Sequence, residues 1–84
     1  MAKEWKIYIA ECSDGTYYTG ITKDVKDRIQ KHNSGNASKY TRSRTPVKLL
    51  AKSTNRYSYS DALKREHHIK KQPREKKIET VKNL

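Results

Sequence analysis

In this chain of 84 residues, Glu66 is the residue whose position most needs a chemical explanation. At about 100° of rotation per residue it falls between Ala62, Leu63 and Ile69, on the apolar stripe of a helix. A carboxylate there is costly unless it is paired, hydrogen-bonded or bound to a metal. Two readings are open: an ion pair with a neighbouring Lys or Arg, or a ligand for a divalent cation such as Mg²⁺, which often takes one or two carboxylates together with substrate phosphates. Arg28 and His32 stand four residues apart, so both rise from one side of an earlier helix beside Val25 and Ile29. Arginine offers a planar fork for phosphate oxygens and histidine moves protons near neutral pH, although such a pair also suits the solvated face of a basic helix. Tyr8 and Tyr18 read as half-buried strand aromatics unless the backbone turns both hydroxyls to one surface. In that case a tyrosine beside a cation loses its proton more easily and can serve as a base.

Charge points to a polyanionic partner. Lys and Arg number 20 against 9 Asp and Glu, for a formal net charge of +11. Eight of the cations (Arg28, Lys31, Lys39, Arg42, Arg44, Lys48, Lys52 and Arg56) lie between Arg28 and Ser60 with no acid among them. A stretch of that kind favours phosphate contact over a merely solvated face. Lys31, Lys39, Arg42 and Arg44 are the candidate contacts, with Tyr40 placed to stack on a base or to pack beneath the loop. No apolar run approaches the roughly 18–20 residues of a membrane span, and the first residues lack the apolar core of a secretion signal, so a cytoplasmic protein without membrane contact is expected. Cys12 is the single cysteine and excludes an internal disulfide. It reads as a small strand residue. His67 and His68 are adjacent, diverge by about 100° on a helix, and read as surface residues rather than a metal pair.

The elements that must position these groups follow from periodicity. Trp5–Cys12 and Thr16–Ile21 are β-branched and aromatic and flank Ser13-Asp14-Gly15, which predicts a hairpin. A two-residue loop would set Tyr8 opposite Ile21 with Tyr18 pointing away. A three-residue loop with a left-handed Gly15 pairs Tyr8 with Gly20 and Ala10 with Tyr18, and gathers Ile7, Ile9 and Ile21 on the other face; this register is preferred because it segregates the isoleucines. Asp24 caps a helix that ends near Asn33-Ser34-Gly35. Asn33 to Thr45 reads as a long loop closed by Pro46, and Val47–Ser53 as a third strand. Ser58 or Ser60 opens a second helix that stops at Gln72-Pro73, and Pro73 starts a last short helix with Ile78, Val81 and Leu84. The expected fold is a single α/β (α+β) domain over residues 1–84, a small three-stranded antiparallel sheet flanked by helices in the order ββαβαα. A chain this short buries only roughly 60–65% of its unfolded surface, which leaves no room for a second core.

Lys6-Ile7-Tyr8, then Tyr18-Thr19-Gly20 across a hairpin, then Arg28 and His32 on a helix and Glu66 on a later one, together resemble the GIY-YIG nuclease domain over nearly the whole chain. Trp5-Lys6-Ile7-Tyr8-Ile9, Asp14 to Thr22, His32-Asn33-Ser34-Gly35 and Lys39-Tyr40-Thr41-Arg42 are similar to the small stand-alone bacterial proteins of that superfamily. Its relatives include homing endonucleases, restriction enzymes and the incision subunit of bacterial nucleotide-excision DNA repair, which cut DNA with a divalent metal. The resemblance implies Tyr8 as the base for water, Tyr18 orienting water or phosphate, Arg28 on the phosphate, His32 relaying a proton or holding Tyr8, and Glu66 holding Mg²⁺ or Mn²⁺. Lys6 stands for the first Gly of the motif and Thr19 for its aliphatic residue. Ile21 stands where some relatives carry Lys.

The expectation is therefore metal-dependent endonucleolytic hydrolysis of DNA, with RNA open as a substrate and no obligate protein partner. Two competitors are a catalytically silent nucleic-acid-binding module with the same basic face, and a basic adaptor for an acidic protein.

Overall fold

The computed structural model describes residues 2–84. β1 (Lys6–Glu11) and β2 (Tyr17–Thr22) form the expected hairpin, followed by α1 (Val25–Asn33), α2 (Lys39–Arg42), β3 (Lys48–Lys52), α3 (Tyr59–Lys70) and α4 (Arg74–Lys82). The sheet is antiparallel with strand order β2-β1-β3, so β1 is central, and Ile7 to Ala10 are fully buried along it.

The hairpin has the three-residue loop. Tyr8 pairs with Gly20 and Ala10 with Tyr18. Gly15 sits at φ +85°, a left-handed conformation that glycine adopts without a steric penalty. Because side chains alternate along a strand, this register sorts the sheet into two unlike faces. Ile7 and Ile9 join Ala51, Ala62, Ile69 and Val81 under α3 and α4, with Ile21 packed against them. Tyr8, Ala10 and Cys12 turn the other way and meet Val25 of α1 and Val47, with Tyr18 and Ile29 at the margin.

Local chemistry explains the helix boundaries. Asp24 accepts from the Asp27 N–H at 3.0 Å and caps α1, and the chain leaves α1 through Gly35 at φ +83°. Ser58, rather than Ser60, caps α3. Pro73 occupies the cap position of α4, one residue before the helix it was expected to begin, and Leu84 lies beyond the helix end while still packing on the core. Sequence periodicity misses one element: α2, a single turn inside the stretch read as loop. Ser38 caps it by accepting from the Tyr40 N–H at 3.1 Å. Four residues are too few to display a helical period.

The segment carrying α2 is tied down at several points. The Asn33 side chain donates to the Val47 carbonyl at 3.1 Å and accepts from the Val47 N–H at 2.6 Å. Arg44 donates through Nε to Asp14 at 3.0 Å and through Nη1 to the Tyr40 carbonyl at 2.6 Å, while its own carbonyl accepts from the Ser13 N–H at 2.8 Å. The segment thus docks on the hairpin turn.

Candidate active site

Tyr8 anchors the polar face. Its hydroxyl lies 2.7 Å from His32 Nε2, and His32 Nδ1 lies 2.7 Å from the Thr41 hydroxyl on α2. All three side chains are fully buried. Burying polar atoms without partners would cost about 1–3 kcal/mol each, so this unbroken chain of contacts is what makes the position tolerable. Tyr18 stands alongside, half-buried, its ring centroid 5.0 Å from that of His32 and 6.3 Å from that of Tyr8.

Gly20 makes this proximity possible. A Cβ there would lie 2.7 Å from the Tyr8 hydroxyl oxygen and 2.9 Å from Tyr18 Cε2, closer than real side chains come. The two tyrosines occupy the space that any larger residue would need. Thr19, in the place of an aliphatic residue, is buried.

Arg28 reaches the same place from α1. Its Nε is buried and has no hydrogen-bond partner, an unsatisfied donor beside the Tyr8–His32 pair. An oxygen of a bound anion would satisfy it, and guanidinium geometry suits phosphate. Electrostatics act on Tyr8 in both directions. Burial is the largest effect and pushes its hydroxyl well above the ordinary tyrosine range; the negative charge of an ionised Tyr18 and of Glu66 pushes the same way, and the nearby Arg28 guanidinium only partly opposes them. The general expectation that a cation eases loss of a tyrosine proton is outweighed at Tyr8 by desolvation. His32 is shifted down, first by burial and then by Arg28, both of which disfavour its charged form.

Glu66 approaches from α3, the helix whose Ala62 and Ile69 belong to the opposite core. The expected stripe is narrower than its spacing suggested: Ala62 and Ile69 are buried but Leu63 is 38% exposed. Glu66 sits at its edge, with 18% side-chain exposure, and Oε1 lies 3.4 Å from Lys70 Nζ. This partner is half exposed, so the contact is a surface i,i+4 pair rather than the buried ion pair that one reading expected. The negative charge of Glu66 nevertheless contributes, as the smallest effect, to raising the proton affinity of Tyr8.

No group of three or more His, Cys, Asp or Glu able to hold a metal occurs among the described residues. They hold no fully protein-built cage, whereas a single carboxylate such as Glu66 fits a hard ion that keeps its waters and shares the substrate's oxygens.

The outer candidates divide. Lys39, Tyr40 and Arg42 are exposed on α2. Lys31 is exposed and paired with Asp27 at 3.3 Å. Arg44 is engaged by Asp14 and stacks on the Tyr40 ring at 4.1 Å, so its principal visible work is holding the loop. Tyr40 in turn lies 6.0 Å from Tyr18. A cleft of about 320 Å³ opens there, lined by Tyr17, Tyr18, Thr19, Tyr40, Lys70 and Lys77. The more apolar cleft between α3 and α4 contains none of the candidate site residues. His67 and His68 are exposed and Cys12 is buried. Thr41 and Gly20 went unassigned in the sequence; Ser38 as a cap signal was the clue to Thr41.

Comparison with known proteins shows the family. The family described as the GIY-YIG catalytic domain matches residues 4–79, and the chain belongs to that family. At closer range it is similar to UPF0213 proteins. One from Halobacterium salinarum is 51% identical over 72 residues, covering 84% of this chain and 91% of the relative, and one from Staphylococcus aureus is 47% identical over 76 residues, covering 90% and 92%. The solution NMR structure of a UPF0213 protein from Bacillus halodurans is 44% identical, with a TM-score of 0.53 over 92% of this chain and 81% of that one. No helix among the described residues is long and apolar enough to cross a membrane.

Proposed function

We propose that this protein is a divalent-metal-dependent endonuclease that hydrolyses phosphodiester bonds in DNA. The observation that carries the reading is the buried Tyr8–His32 contact beside the unsatisfied Arg28 Nε, within electrostatic reach of Glu66. A merely basic surface would bind nucleic acid without such a cluster.

Tyr8 takes a proton from the attacking water as it passes its own to His32 Nε2. The raised proton affinity of Tyr8 makes that second acceptor necessary, and the neutral His32 supplies it. Arg28 binds a phosphate oxygen and stabilises the charge that builds there during in-line attack. Tyr18 orients the water or the phosphate from the half-open side. The leaving sugar oxygen departs toward solvent and is protonated there. Glu66 would hold Mg²⁺ or Mn²⁺, which when bound neutralises charge on the phosphate and the leaving oxygen. Lys39, Tyr40 and Arg42 extend the contact along the strand, and Lys31 and Arg44 contribute charge from their engaged positions.

The test is a panel of labelled single-stranded, duplex, flap and nicked DNAs, with an RNA control, incubated with Mg²⁺, Mn²⁺ or EDTA beside the Glu66→Gln and Tyr8→Phe variants. Metal-dependent cutting abolished by both substitutions is expected. Salt-sensitive binding that no form converts into cutting would replace this reading with a silent binding module, whose basis would be the complete burial of Tyr8. Neither binding nor cutting would redirect the search to an acidic protein.

A further inference from the structure

The contacts around His32 have a direction. The Tyr8 hydroxyl lies 2.7 Å from His32 Nε2 and can donate its proton there whenever that nitrogen carries no hydrogen. At the far end the Thr41 hydroxyl donates to the Ser38 carbonyl at 3.3 Å, and a carbonyl can only accept. The oxygen of Thr41 is then left to accept from His32 Nδ1, at 2.7 Å. The acceptor-only Ser38 carbonyl at the far end orients the protons of Thr41, His32 and Tyr8 in turn. Thr41 is fully buried and belongs to the turn that carries Lys39, Tyr40 and Arg42 outward.

We propose that Thr41 is a positioning residue: it accepts the Nδ1 proton of His32 and so fixes the tautomer in which Nε2 is free to receive the proton of Tyr8. The consequence for cleavage rests on the nuclease reading, whereas the tautomer is a property of the folded protein alone. In the opposite tautomer Nε2 carries a hydrogen and cannot take one from Tyr8, so the base is blocked without any atom of the site being lost. The short helix α2 then serves the reaction on two sides, with cations outside and a proton holder inside.

Long-range ¹H–¹⁵N correlation of the His32 ring in ¹⁵N-labelled protein at neutral pH decides the assignment. Wild type should show a protonated Nδ1 and an unprotonated Nε2. Thr41→Val, nearly the same shape without the acceptor, should move His32 to the Nε2-protonated form or a mixture, and Thr41→Ser should restore the wild-type pattern. A protonated Nε2 in wild type would overturn the proposal, as would an unchanged ring pattern in Thr41→Val whose amide spectrum is that of the folded protein. If Thr41→Val fails to fold, wild type and Thr41→Ser still decide it, because both must show the Nδ1-protonated ring. In the cleavage assay Thr41→Val should lose on the order of 10²-fold, the lower end of what a positioned base supplies, with Thr41→Ser close to wild type. A wild type that cuts nothing would remove the nuclease reading, and the ring spectrum would still settle the tautomer.

Discussion

The two faces of β1 are built on different principles. Under α3 and α4, Ile7 and Ile9 contribute to a cluster whose members have only to be apolar and of suitable volume. On the other side Tyr8 touches His32, His32 touches Thr41, and Gly20 is held to the size of a hydrogen atom. The first face supplies most of the burial energy. The second adds little net stability, because its hydrogen bonds replace ones made to water, but it admits few alternative arrangements. Neighbouring residues of a single strand thus separate holding the fold together from holding a proton in place.

That contrast can be broken experimentally. Tyr8→Phe should reduce cleavage per folded molecule by about 10²–10⁴-fold, the contribution of a positioned base, and cost about 1–3 kcal/mol in urea unfolding because buried His32 Nε2 loses its partner. Its counterpart one residue on, Ile9→Ala, should cost about 2–5 kcal/mol in urea unfolding and leave cleavage per folded molecule close to normal. Exchanged outcomes would mean that the faces are not divided in this way. Gly20→Ala touches both properties: displacing the tyrosine rings should cost about 1–3 kcal/mol, and cleavage should fall further than the lost fraction of folded protein explains.

A smaller effect comes from pH. His32 binds its proton less readily in the folded protein than in the unfolded chain, whose ordinary value is 6.5. Its contribution to stability is therefore complete above that pH and is lost as the pH falls from 6.5 toward the depressed folded value. Urea midpoints measured across that range should fall in wild type and fall less steeply in His32→Gln. Least of all, Lys70→Ala should change stability by only about 0.3–0.5 kcal/mol, as exposed helix pairs do, while modestly tightening Mg²⁺ at Glu66, read by metal titration of cleavage.

The hairpin register was legible because only one loop length puts the isoleucines together, and Tyr8 and Tyr18 followed from it. Arg28 and His32 were legible from their spacing, and Asp24 and Gly35 from the chemistry of helix ends. Glu66 was placed on the right helix but too deep, because spacing alone does not reveal that Leu63 faces outward. Thr41 was hidden since its partner lies nine residues back, across a turn with no periodicity of its own. The tension on Tyr8 between burial and Arg28 needed three dimensions to weigh.

Asn33 adds a mechanical consequence. By exchanging two hydrogen bonds with the backbone of Val47, its amide imitates a strand partner and joins the end of α1 to the start of β3. The residues between become a buckled strap closed at its base. Substitutions at its exposed Lys39 and Arg42 can then remodel the outer charge, while Thr41 and Arg44 keep the strap seated on His32 and on the hairpin turn.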